Sequence, residues 1–171
     1  MADSRILDAF GRLVDIMHRL RAPGGCPWDR EQTHLTLRPY LLEETYEVLD
    51  ALATGNDGAI CDELGDLLLQ VVFHAELAAE SGRFDVADVA AAITNKLVRR
   101  HPHVFGDVVV RDAAEVLQNW QQIKATERGD TASDSLARVD AVSRSLPALV
   151  RAEEIGRKAA GLGFDWTDAA G

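Results

Sequence analysis

The spacing of apolar residues along the chain predicts helices almost throughout. Ile6, Leu7, Phe10, Leu13, Val14, Met17 and Leu20 recur at three- and four-residue intervals, the stripe that one buried helix face requires. Asp3 or Ser4 would cap this helix, and Pro23-Gly24-Gly25 stops it. The turn-rich GGCPWDREQTH reads as an irregular segment. Pro39 then stands where a first helical turn tolerates proline, opening a helix over about 39–54 that ends at Gly55. Asn56 and Asp57 start the next helix, over about 57–81, closed by Gly82. Asp85 is placed to cap a fourth helix reaching Arg100, where His101-Pro102 disfavours continuation. A loop over 102–111 leads to a helix over 112–128, and a last helix spans 147–160. Strand-like alternation is confined to Val108–Val110, too short to build a sheet, so the predicted fold class is all-α.

Between 129 and 143 the chain is rich in Asp, Ser, Thr and Ala and has no periodicity, which predicts a linker. The expected organisation is a domain over 1–128, a linker over 129–146, and a helix with the start of a second repeat over 147–171. The repeat is suggested by an echo of GCPWD at 25–29 in GFDWTD at 163–168, as though a second copy were cut short.

Composition narrows the function classes. Acidic residues outnumber basic ones 28 to 18, a formal net charge of −10, which argues against nucleic acid polymers and anionic membranes as partners. A polyanionic substrate would need a local positive cluster. The opening MADSRILDAF lacks the basic and apolar regions of a secretory signal. The longest apolar stretch, Leu67 to Ala79, is shorter than a bilayer span and is broken by Gln70, His74 and Glu76. Cys26 and Cys61 form no CxxC pair, so neither zinc knuckle nor disulfide framework is indicated. A soluble protein of the reducing cytoplasm is expected.

The chemistry is concentrated in carboxylates. Glu43, Glu44 and Glu47 stand on one predicted helix and Asp62, Glu63 and Asp66 on the next, giving EExxE, fifteen residues, then ExxD. Three-residue spacing puts Glu44 with Glu47, and Glu63 with Asp66, on one helical face each. Asn56 lies nine residues past Glu47 and ten ahead of Asp66. In an antiparallel hairpin both pairs therefore stand at a similar height, roughly 14 Å from the turn at about 1.5 Å per residue. An isolated EExxE is usually a solvated face paired with Lys or Arg, yet between Arg38 and Arg83 this chain has neither. Four facing carboxylates among apolar residues that should face a core require protonation or a cation. Hard oxygen ligands in that number suit magnesium, with manganese as a substitute.

Positive charge returns in KLVRRHPH, where Lys96 and Arg100 are i, i+4 neighbours able to reach one phosphate chain. Trp120 and Lys124 repeat that spacing in NWQQIK, as a platform for a base and a phosphate contact. Trp28 reads as an anchor for its own loop, and His101 and His103 as loop-shaping residues. A redox di-metal bundle would need E-x-x-H pairs accompanying the acids. The E-x-x-H at Glu31–His34 precedes the second helix instead.

Together CPWDREQTH, LEETYEVLDAL, DELGDLLLQVVFHA, KLVRRHPHVFGD and NWQQIKATER resemble the MazG family of nucleoside triphosphate pyrophosphohydrolases, over essentially the whole chain. The resemblance implies an all-helical fold with a four-helix core completed by dimerisation, and cleavage of nucleoside triphosphates to monophosphate and pyrophosphate. It implies Glu44, Glu47, Glu63 and Asp66 as magnesium ligands, Glu43 or Glu47 as the proton acceptor, and Glu43, Lys96, Arg100, Trp120 and Lys124 as substrate contacts. Relatives of this kind carry tandem copies of which one is degenerate in some members, so a non-catalytic nucleotide-binding or dimerisation module is the alternative function.

Overall fold

A computed structural model describes residues 3–128 and 139–164. The chain divides into two compact units, Met1–Arg99 and Arg100–Gly171. Every regular element among the described residues is helical. The first unit holds α1 (Ser4–Arg21), α2 (Pro27–Glu31), α3 (Arg38–Thr54), α4 (Asp57–Ala79) and α5 (Val86–Arg100) up to its last residue, Arg100, which belongs to the second unit. Asp3 caps α1, its carboxylate accepting from the Arg5 amide at 3.0 Å. Asn56 caps α4 by accepting from the amides of Gly58 and Ala59, and Asp85 caps α5 by accepting from Ala87 and Asp88.

The core is formed where α1 lies on the C-terminal half of α4. Met17, Leu37, Val72, Phe73 and Leu77 are buried together, with Leu13, Val14, Leu20, Leu69 and Val86 packed around them. The apolar stripe of α1 is thus only partly used, since Ile6, Leu7 and Phe10 remain exposed. Gly25 lets the chain turn back tightly after α1: a Cβ there would collide with the carbonyls of Arg19 and Leu20. Two segments expected as loops contain helical turns, α2 and α6 (Pro102–Phe105). Each carries proline in its first turn, where the missing N–H costs nothing.

Arg21, with a side chain only 6% exposed, ties the end of α1 to its surroundings. It donates to the carbonyl of Asp29, bonds both carboxylate oxygens of Glu80 at 2.5 and 2.7 Å, and lies 5.5 Å over the ring of Phe73. The guanidinium holds the Glu80 carboxyl below its ordinary range through that hydrogen bond and its charge. On α2, Trp28 meets Tyr40 of α3 edge to face at 5.6 Å, as an anchor should.

A second tie joins His34, ahead of α3, to α4. Arg83 donates to His34 Nε2 at 2.8 Å, and His34 Nδ1 lies 2.9 Å from His74 Nδ1. Arginine is always a donor, so the His34 proton sits on Nδ1 and passes the bond to an unprotonated Nδ1 of His74. This geometry needs both rings neutral. Burial first, and then the neighbouring His34, push the His74 pKa below 6.5. The sign follows: the unfolded chain takes up the proton first, so this contribution is complete above pH 6.5 and is lost as pH falls through the lower folded value. Thermal unfolding midpoints should decline between pH 7 and pH 5, and His74→Gln should flatten that decline. An equal slope in the variant would count against the relay.

The second unit contains α6, α7 (Ala113–Arg128) and α8 (Ala148–Ala160). Asp112 caps α7 through the Glu115 amide at 2.9 Å. On α8, Glu154 pairs with Arg157 at 2.5 Å. The Val108–Val110 stretch forms no strand. Most of the expected linker and the end of the GFDWTD echo lie outside the described residues.

Candidate metal centre

The site is built on the α3–α4 hairpin. Gly55 adopts φ 65°, a left-handed conformation that glycine reaches without strain, and ends α3 so that α4 can start at once. With so short a turn, positions equidistant from it face each other across the helix pair. Glu44 stands opposite Asp66, and Glu47 nearer the turn stands opposite Glu63. The electrostatics follow this ladder. After desolvation, the largest influence raising the Glu44 pKa is Asp66, and the largest raising that of Glu63 is Glu47. Glu47 also hydrogen-bonds Glu44.

One oxygen each from Glu44, Glu63 and Asp66 lies within 4.8 Å of the others. Among the described residues this is the one set of three or more histidine, cysteine or acidic side chains so gathered. Glu47 neighbours the set as the fourth acid, and the exposed Glu43 adds to the negative charge felt by Glu44. No lysine or arginine among the described residues forms an ion pair with any of them.

The acids do not lie inside a core. Glu44 and Glu63 are half-buried, and Glu43, Glu47 and Asp66 are exposed. The reason is the uneven use of α4: its C-terminal half carries the buried residues, while the half bearing the acids shows Leu64 and Leu68 to solvent, as α3 shows Leu42, Tyr46 and Leu49. The donor set nevertheless suits a hard divalent cation. It consists solely of carboxylate oxygens lying within reach of one ion, and burial first, then the neighbouring acids, raise the pKa values of Glu44 and Glu63.

The remaining predicted contacts are placed as follows. Lys96 is exposed on α5. In the second unit Trp120 carries Lys124 Nζ 4.1 Å and Arg100 Cζ 5.9 Å from its ring centre. Arg100 is paired with Glu127 at 2.6 Å. His101 and His103 have their rings 5.6 Å apart at the start of α6, away from the acids in sequence and outside the carboxylate set. His34 belongs to the relay with His74 and Arg83, not to the acids. Sequence reasoning missed that relay, the anchoring role of Arg21, and Glu127. Only the last had a signal, because Trp120, Lys124 and Glu127 repeat at i, i+4, i+7.

Fold and site together define an all-helical protein with a carboxylate cluster on a helical hairpin. Residues 32–105 match the MazG nucleotide pyrophosphohydrolase domain. The chain is 54% identical over 162 residues to the nucleoside triphosphate pyrophosphohydrolase of Escherichia coli K12, covering 94% of this chain and 61% of that protein. It is 47% identical over 162 residues to the nucleoside triphosphate pyrophosphohydrolase/pyrophosphatase MazG of Thermotoga maritima, covering 95% and 61%. With the nucleoside triphosphate pyrophosphohydrolase of Mycobacterium tuberculosis the identity is 42% over 153 residues, covering 86% and 45%. The chain belongs to the MazG family. It spans about 61% of the length of the first two of these relatives.

Proposed function

We propose that this chain hydrolyses nucleoside triphosphates to the monophosphate and pyrophosphate in a magnesium-dependent reaction. The observation that carries the reading is the set of carboxylate oxygens from Glu44, Glu63 and Asp66 within 4.8 Å, with no basic partner among the described residues. The family match and the names of the relatives support the reaction type. Glu44, Glu47, Glu63 and Asp66 are the ligands in this reading. Bound there, magnesium supplies charge neutralisation for the phosphates and lowers the pKa of water, and manganese substitutes for it. Glu43, exposed beside the ligands, and Glu47, itself one of them, are the candidates to accept the proton of the attacking water. Lys96, Arg100 and Lys124 bind phosphate, and Trp120 contacts the base.

In the same reading the catalytic domain spans 1–128 and the segment from 147 opens a second copy. A homodimer completes the four-helix core, supported by the exposed Leu42, Tyr46, Leu49, Leu64 and Leu68 on the site hairpin. No helix among the described residues is long and apolar enough to cross a membrane. We place the reaction in the cytoplasm.

The test is incubation of the purified chain with mixed ribo- and deoxynucleoside triphosphates and magnesium. Monophosphate and pyrophosphate should appear, and chelator should stop them. Formation of diphosphate, or no product, would refute the proposal. Calorimetric binding of nucleotide without turnover would instead favour the non-catalytic module.

A further inference from the structure

Arg100 is held more firmly than a phosphate contact at a helix end requires. Its Nε lies 3.1 Å and its Nη2 2.6 Å from Oε2 of Glu127, with Nε also 3.3 Å from Oε1. The two side chains are only 18% and 19% exposed. The same guanidinium sits over Trp120, whose ring Lys124 approaches at 4.1 Å. A guanidinium offers two donor edges in one plane. Glu127 takes the Nε–Nη2 edge, which leaves the Nη1 hydrogens and the second Nη2 hydrogen as the other edge. That edge has the spacing for two oxygens of one phosphate.

We propose that Glu127 is a positioning residue: by gripping one edge of Arg100 above Trp120, it fixes the other edge for a nucleoside triphosphate. The proposal rests on the functional reading above, which assigns Arg100 to phosphate. A long arginine side chain has many rotamers to lose, and a partner that restrains it before binding lowers the ordering cost of each phosphate bond. The opposite role is also chemically coherent. Glu127 would then mask Arg100, and substrate phosphate would have to displace it. The two roles predict opposite signs.

The experiment uses the full chain and measures the Kd of α,β-methylene-ATP with magnesium by calorimetry, beside kcat and KM for ATP. Wild type, Glu127→Ala, Glu127→Gln, Arg100→Ala and the double variant are compared, each first checked for an unchanged thermal unfolding profile. Glu127→Ala should weaken analogue binding and raise KM by about tenfold, the loss of one charge-assisted contact's preorganisation, with kcat within about threefold. Glu127→Gln should recover part of the loss. In the Arg100→Ala background, Glu127→Ala should add less than about twofold, because its effect is exerted through that arginine. Tighter binding in Glu127→Ala would establish masking and overturn the proposal. Unchanged binding, independent losses in the double variant, or no wild-type binding would overturn it as well. Should Glu127→Ala fail the folding check, the Gln variant and the double variant decide by the same criteria. Wild-type binding with coupled losses but no turnover would defeat the hydrolase reading and leave the role of Glu127 standing.

Discussion

Glu63→Gln is expected to lower turnover by on the order of a hundredfold or more while raising the thermal unfolding midpoint of the metal-free chain. Both effects come from one charge. Glu63 is half-buried, and its pKa is raised by partial desolvation and then by Glu47, Asp66 and Asp62. For a carboxyl raised in this way, folding is most favoured with the proton on. Its ionisation works against the folded state as pH climbs through the raised value. A neutral amide of the same shape removes that repulsion at neutral pH. It also replaces one carboxylate oxygen of the gathered set's Glu63 by an NH2 group and removes its negative charge, and with them much of the affinity for a hard cation. Losing even a group that supports a metal ligand costs about 10- to 100-fold, so loss of a ligand should reach the upper end. The two readouts are steady-state turnover with magnesium and differential scanning calorimetry in chelator. A variant that keeps its activity, or one that loses stability in chelator, would show that these acids are not a cation site.

The second large effect lies at the other end of the same helix. Phe73 is 3% exposed among Met17, Leu37, Val72 and Leu77, and its ring also supports the Arg21 guanidinium. Phe73→Ala should cost about 3–5 kcal/mol from lost burial and the cavity left behind. Against the typical total of about 5–15 kcal/mol, that is a large share. It should lower the unfolding midpoint by more than about 10 °C. Arg21 would lose the ring beneath it while keeping Glu80, so the end of α1 should loosen along with the core. Well below the new midpoint the variant should still bind magnesium, because the acids stand on the opposite half of α4. Urea unfolding and magnesium titration by calorimetry separate the two. A loss under about 1 kcal/mol would mean that the core is not where the structure places it.

These two residues also mark what was legible before any coordinates. The hairpin and its acids were, because helical period, a Gly-Asn turn and the distance of each pair from it are local properties of sequence. Asp85 was visible as a cap for the same reason, and Asp3 as one of two candidates with Ser4. The short helices at Pro27 and Pro102 were not, since proline and glycine near one another read as loop whether or not one helical turn forms between them. Equally hidden was which half of α4 is covered. Its apolar residues run along the whole helix, and only the placement of α1 leaves the acidic half open. The acids therefore sit at a surface, against the expectation of a core. Arg21 with Glu80, and His34 with His74, are separated by 59 and 40 residues, and nothing local announces such pairings.

The Gly55–Asn56 turn carries a consequence for rotational phase. Each residue added to a helix advances its direction by about 100°. A single residue inserted at the start of α4, after the cap, would swing Glu63 and Asp66 about a quarter of the way around the helix while leaving Glu44 and Glu47 in place. The three gathered oxygens of Glu44, Glu63 and Asp66 would part company although no acid had been replaced. If the acids hold a cation as proposed, the length of this connection determines its affinity as much as the acids themselves do.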